Sequence, residues 1–185
     1  MGHGVMQKSA VVVGALGVIG RYIVEKLLEE GDWQVIGLSR RSVADAPRYR
    51  HVAVDLLDAE EAGRKLAGLT EVTHVFYAAF QANAGAASGF AANIAPNRDM
   101  LVNAVTSIDR VARRLQRVVL VTGTKYYGVH LGPLKTPMRE TDPRHMPPNV
   151  IAQLGWCLTP KFGRERAKSG PCSSTCAIFE SVWAL

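Results

Sequence analysis

The sequence predicts an α/β fold, a parallel sheet doubly wound with helices on both faces. Three observations carry this. Strand-like runs alternate with helix-like runs over the first 125 residues. The segments between them are short, as right-handed parallel crossovers require. The strand-like runs are apolar and β-branched, as strands buried on both faces are.

Each element follows in order. "SAVVVGA" (9–15) is the first strand. "GVIGRYIVEKLLEE" (17–30) sets Ile19, Ile23, Leu27 and Leu28 near helical spacing, and Gly31 stops it. "WQVIGLS" (33–39) and "HVAVD" (51–55) are the second and third strands. "DAEEAGRKLAGL" (58–69) is a helix whose opening acidic residues complement its positive N-terminal end. "THVFYAAF" (73–80) is the fourth strand. "APNRDMLVNAVTSIDRVARRLQ" (95–116) is a long helix with Pro96 near its start, and "RVVLVTG" (117–123) is the fifth strand. Residues 129–149 are Pro-rich and read as a long loop, and residues 150–185 show no sustained periodicity.

Composition narrows the function. The chain has 185 residues, 48% hydrophobic and 21% charged, which is one ordinary domain with a core. Its net charge of +6 favours anionic small molecules. No Lys/Arg run exceeds two residues, which argues against nucleic acid as the main partner. No apolar run approaches the ~20 residues of a membrane span. The opening "MGHGVMQKSAVVVGALG" has the look of a short signal h-region, but its glycines and the helix after it fit a first strand better. Met6 stands where a myristoylation signal needs Ser or Thr. A cytoplasmic location is the expectation. Cys157, Cys172 and Cys176 all follow Trp156, and no histidine follows them, so neither a disulfide framework nor a zinc site is expected.

"GALGVIG" places Gly14, Gly17 and Gly20 three apart, after a strand and at the mouth of a helix. The first permits a tight turn, the second lets a pyrophosphate approach the backbone, and the third lets helix and sheet pack closely. Leu16, Val18 and Ile19 fill the loop between them and are assigned to the same contact. The helix mouth offers free N–H groups and partial positive charge to the phosphates. This is the Rossmann dinucleotide pattern in its proper setting. At the end of the second strand an acidic residue would bond the ribose hydroxyls of NAD. Here stand Ser39, Arg40 and Arg41, whose guanidinium forks suit a 2′-phosphate, so NADP(H) is the expected cofactor. Asp55, with Leu56 beside it, ends the third strand; it either accepts from the adenine amino group or serves as a cap or turn residue. Ala78 and Ala79 leave room for a cofactor across the end of the fourth strand, and Thr122, near the end of the fifth, is assigned to the cofactor contact as well. Asn97 and Asn103 on the long helix read as structural polar contacts.

The chemistry is expected in "TGTKYYG" (122–128), with Lys125, Tyr126 and Tyr127. Short-chain dehydrogenases carry Tyr-x-x-x-Lys on one helix, the lysine lowering the tyrosine's pKa. That spacing occurs here as Tyr22 and Lys26, but on the first helix, where Tyr22 reads as a helix–sheet packing residue. Taken together, the glycine loop, "SRRS", "THVFYAAF", "TGTKYYG" and "PRHMPPN" resemble the atypical short-chain reductases related to progesterone 5β-reductase and iridoid synthase, within the NAD-dependent epimerase/dehydratase group. The resemblance covers residues 9–149. It implies NADPH-dependent reduction of an enone, with Lys125 as the lysine of the family's "TG-x-K-x-Y" loop. It also implies a later tyrosine in an "N-F-Y-Y" segment, which stabilises the enolate oxygen while hydride reaches the β-carbon.

After Asn149, this chain has Val150, Ile151 and Ala152 where that pattern continues Phe-Tyr-Tyr. The expectation is an altered ending, by a frame shift or an early truncation, that lacks the substrate region. The expected organisation is an NADP-binding domain over 1–128, a Pro-rich active-site loop over 129–149 and a divergent tail over 150–185. Loss of one oxyanion donor costs ~10²–10³ in rate, so a reductase on a small enone or carbonyl is expected to be impaired unless Tyr126 or Tyr127 substitutes. Two alternatives stay open: a non-catalytic dinucleotide-binding sensor or interaction protein, and a non-functional remnant. An uncovered sheet edge would favour association, with a homodimer as one outcome.

Overall fold

The computed structural model describes residues 8–82, 90–122, 127–128, 132–133, 135–139 and 142. Strand β1 (Lys8–Val13) lies in the centre because the run after Ser9 is wholly apolar: Ala10, Val11, Val12 and Val13 are all 0% exposed. It pairs in parallel with β2 (Trp33–Ser39) on one side and β4 (His74–Tyr77) on the other, Val13 aligning with both Leu38 and Tyr77. Beyond them, β3 (Tyr49–Ala53) pairs with β2, and β5 (Arg117–Leu120) pairs with β4, both in parallel. The five strands run in the order β3-β2-β1-β4-β5, the expected doubly wound sheet.

Alternation along each strand divides the apolar side chains between two layers. Val11, Val13, Ile36, Leu38, Val75 and Tyr77 face helices α2 (Ala59–Leu66) and α3 (Ile94–Val111), which contribute Ala62, Leu66, Leu101, Ala104, Val105 and Ile108. Ala10, Val12 and Val35 face the other way, with Leu27 of helix α1 (Val18–Glu30) over them. Ile23, Val24 and Leu28 pack on this second layer and remain partly solvated. Tyr22 departs from expectation: it is 63% exposed and packs no sheet. At 3.6 residues per turn, two residues from buried Gly20 puts it on the far side of the helix.

Several elements end earlier than their sequence patterns. β4 stops at Tyr77: Ala78 N–H still bonds Val13 O (2.9 Å), but β1 has by then entered its turn, leaving Ala79 no partner there. β3 starts two residues early, because Tyr49 aligns in parallel with Val35 of β2, and it stops at Ala53, where β2 ends at Ser39. α2 ends at Leu66, just before Ala67 and Gly68; at its start Asp58 caps it, accepting from the N–H groups of Glu60 and Glu61. α3 ends at Val111 so that Ala112 and Leu115 can be buried and Gln116 N–H can reach Thr73 O (2.8 Å) beside β4. A single 3₁₀ turn, Phe90–Asn93, precedes α3.

Candidate functional site

All five strands present their carboxyl ends to one edge, and chain direction diverges on either side of β1. Ligands bind at this kind of switch point. There the chain turns sharply at Gly14, whose φ of +83° disfavours a side chain. Gly14 N–H bonds Leu38 O (2.9 Å), and Gly17 N–H bonds Gly14 O (2.9 Å), which folds the loop back on itself. A Cβ on Gly14 would stand 2.9 Å from the backbone of Ala79, so the β4 exit passes directly over the turn. A Cβ on Gly20 would strike the Gly14 carbonyl oxygen. Both glycines therefore set how closely α1 approaches the sheet, the packing role read from the sequence for Gly20.

Helix α1 starts after Gly17, which has extended backbone and provides no side-chain cap. Its first N–H groups are left for an external acceptor, and the helix dipole favours an anion there. The cleft in front of them has a volume of about 740 Å³. Gly14, Leu16, Gly17, Val18 and Ile19 line one wall. Ser39, Arg40, Arg41, Asp55 and Leu56 line the second, and Ala78 and Ala79 the third. Gly20 lies beneath the loop. Thr122 is buried and does not line the cleft, because β5 stands two strands away from the glycine turn; among the described residues its Oγ1 has no hydrogen-bond partner.

Arg40 and Arg41 are exposed, and among the described residues neither guanidinium pairs with a carboxylate. Of the two sequence readings of Asp55, the structure shows the turn residue. Its carboxylate accepts from Leu57 N–H (3.0 Å), making it a turn residue, while its position on the cleft keeps it within the site. Asn103 donates to Leu56 O (2.9 Å) and anchors the same turn from α3. Asn97, 1% exposed, accepts from Gln81 N–H (2.8 Å) and donates to Gln81 O (2.8 Å), so α3 clamps the chain leaving β4.

Sequence reasoning did not assign Leu38, Val54, Phe80, Gln81 and Met100, which also line the cleft. Leu38 and Val54 carried a usable signal, each being next to an assigned polar strand-end residue. Gln81 and Met100 are brought in by α3 packing and carried none. Lys125 and Tyr126 lie outside the described residues. Tyr127 is partly buried in a turn with Gly128 (φ +86°). The sequence has five tyrosines. Tyr22, Tyr49 and Tyr77 do not line the cleft. Tyr77 is 1% exposed, and burial holds its hydroxyl protonated, far above the ordinary phenol range. Among the described residues no helix is long and apolar enough to cross a membrane, and no group of three His, Cys, Asp or Glu could hold a metal ion.

Sheet order, glycine turn and uncapped helix mouth define an α/β domain of the Rossmann type. Its lineage is narrower than that: residues 10–153 match the family described as "PRISE-like Rossmann-fold domain", and the chain belongs to that family. Relatives include a 3-oxo-Delta(4,5)-steroid 5-beta-reductase of Arabidopsis thaliana, 35% identical over 147 residues, covering 75% of this chain and 35% of the relative. An (S)-8-oxocitronellyl enol synthase of Catharanthus roseus is 30% identical over 169 residues, covering 84% and 41%. A short chain dehydrogenase of Penicillium aethiopicum is 33% identical over 155 residues, covering 77% and 39%. The chain thus spans about two fifths or less of these relatives' length. Among solved structures, the Bordetella bronchiseptica enzyme WbmH, in complex with NAD+, superposes with a TM-score of 0.62 at 22% identity, covering 84% of this chain and 51% of that one. Gre2 from Candida albicans, in complex with NADPH, gives 0.55 at 18% identity, covering 65% and 38%. At that identity both speak for the fold.

Proposed function

We propose that this chain forms the cofactor-binding part of an NADP(H)-dependent reductase of the short-chain lineage, acting on a small enone or carbonyl compound. One observation carries the reading. A single cleft of about 740 Å³ joins an uncapped helix mouth behind a glycine turn to two guanidinium groups without carboxylate partners among the described residues. The first suits a pyrophosphate and the second a ribose 2′-phosphate. Family membership and the names of the relatives support the reaction class.

Bound there, the nicotinamide would supply hydride. Lys125 follows β5 and is proposed to bond the ribose and keep positive charge near the reacting carbonyl oxygen. Within this chain, Tyr126 and Tyr127 are the two phenols left to help it, because the other three lie off the cleft. The proposed partner is a small molecule and not nucleic acid, and the proposed location is cytoplasmic. β5 is the outermost described strand on its side and the proposed edge for a homodimer.

A second reading, binding of the dinucleotide without turnover, is favoured by one observation. The family match runs to residue 153 and so spans Val150, Ile151 and Ala152, where the related reductases are expected to place the tyrosine. NADPH consumption with a panel of small enones, wild type against Lys125→Ala, separates the two. Turnover that falls at least tenfold in the variant supports the reductase. Saturable NADPH binding with no turnover in either supports the second reading, and turnover unaffected by the change removes Lys125 from the site.

A further inference from the structure

The Arg40–Arg41 segment is held by side chains of β2 and β3. Arg41's carbonyl oxygen accepts from Ser39 Oγ (2.7 Å) and lies 3.0 Å from His51 Nε2. His51 Nε2 is also 3.0 Å from Ser39 Oγ. On its other side, His51 Nδ1 is 2.7 Å from the Tyr49 hydroxyl. A carbonyl only accepts, so Nε2 carries the proton toward Arg41, and in that tautomer Nδ1 accepts from the Tyr49 hydroxyl. Burial, helped by the nearby Asp45 carboxylate, raises the Tyr49 pKa and keeps that hydroxyl a donor. The His51 backbone is tied in turn, its N–H donating to Asp45 Oδ1 (2.7 Å).

The sheet is shaped for this arrangement. Gly37 aligns with His51 across β2 and β3, and Tyr49 lies two residues before His51 on the same face. A Cβ on Gly37 would collide with the Tyr49 hydroxyl. The glycine therefore opens the sheet surface where the tyrosine must cross to reach the imidazole. Neither Tyr49 nor His51 lines the cleft.

We propose that Tyr49 and His51 are positioning residues for cofactor choice, holding the Arg41 carbonyl so that the Arg40–Arg41 guanidiniums meet the 2′-phosphate of NADP(H). This rests on the NADP(H) reading above. A ligand without the 2′-phosphate does not use the arginines and gains little from the fixed segment.

The test is calorimetric titration of the full chain with NADPH and with NADH, for wild type and for Tyr49→Phe, His51→Ala, His51→Gln and Arg41→Ala. His51→Ala should weaken NADPH about five- to tenfold, the loss of roughly one net hydrogen bond, and leave NADH within about twofold. His51→Gln, which keeps a donor toward Arg41, should recover most of that loss. Tyr49→Phe keeps the ring in place and should show a smaller loss of the same sign. If His51→Ala folds poorly, Tyr49→Phe and His51→Gln decide the matter: Tyr49→Phe binding NADPH like wild type, or the two variants losing NADPH and NADH equally, overturns the proposal. Arg41→Ala keeps its failure distinct from failure of the parent reading. Should Arg41→Ala lose NADPH while the Tyr49 and His51 variants do not, only the positioning role falls. Should Arg41→Ala leave the NADPH-to-NADH ratio unchanged, the NADP(H) reading falls and the positioning role with it.

Discussion

The cleft has two sides, divided by β1, and they are built in different ways. The β2–β3 side takes its glycine turn, arginine pair and Asp55 turn from residues 14–56, one unit in which each strand exit follows the last. The β4–β5 side is assembled from distant pieces. Ala78 and Ala79 pass over Gly14, Gln81 is clamped by Asn97 sixteen residues on, and Met100 comes from α3. The difference teaches where each task sits. Recognition of a diphosphate needs backbone geometry and fixed charge, which a short motif can encode. Closing the other wall needs tertiary packing, and the proposed chemistry needs groups that arrive after β5.

The largest expected effect breaks the first side. Gly20→Ala drives a Cβ into the Gly14 carbonyl oxygen, so the loop or the helix must move. It should abolish measurable NADPH binding and cost about 1–3 kcal/mol of stability, lowering Tm by roughly 2–4 °C per kcal/mol. Next, Arg40→Ala with Arg41→Ala should weaken NADPH about 10- to 100-fold in the same titration, with NADH nearly unchanged, the scale of lost charge-assisted hydrogen bonds. On the other side, Asn97→Ala strands the Gln81 backbone groups that its side chain now pairs. Urea unfolding should show a loss of roughly 1–3 kcal/mol, and both dinucleotides should weaken alike. This contrast would sharpen the comparison: the proposed cofactor would be selected on one side and only supported on the other.

Away from the cleft, Asp58→Ala removes the α2 cap and should cost about 1 kcal/mol in the same unfolding measurement. The smallest effect is one of pH. Burial first, then the charges of Arg117 and Lys8, lower the pKa of His74 below 6.5. The unfolded chain therefore takes up this proton before the folded one does. His74's contribution is complete above about pH 6.5 and is lost as pH falls through the lower folded value. His74→Gln should flatten that part of the stability–pH curve and leave the rest unchanged.

How much was legible follows the same division. Strand identity and order of elements were legible because central strands such as "AVVV" tolerate no polar residue, and because glycine marks the β1 turn and the α1 stop. Element ends were less so: β4 and α3 run on in sequence pattern past the point where neighbouring strands stop offering partners. Tyr22 was misplaced because an aromatic residue in an amphipathic helix suggests packing, while its angular position relative to Gly20 exposes it. The arginine pair was legible, whereas Tyr49, His51 and Gly37 beneath it were not, since only strand register brings them together. Lys125 and Tyr126 fall outside the described residues, so the chemical half rests on the motif and the family alone.

The central claim is that this cleft is built for a dinucleotide bearing a 2′-phosphate. Titrating wild-type chain with NADPH and NADH by calorimetry at one fixed salt concentration tests it most directly. Saturable NADPH binding at least tenfold tighter than NADH is the expected result. Equal affinity for the two, or tighter NADH, would contradict the assignment of Arg40 and Arg41, and no saturable binding of either would contradict the cofactor site itself.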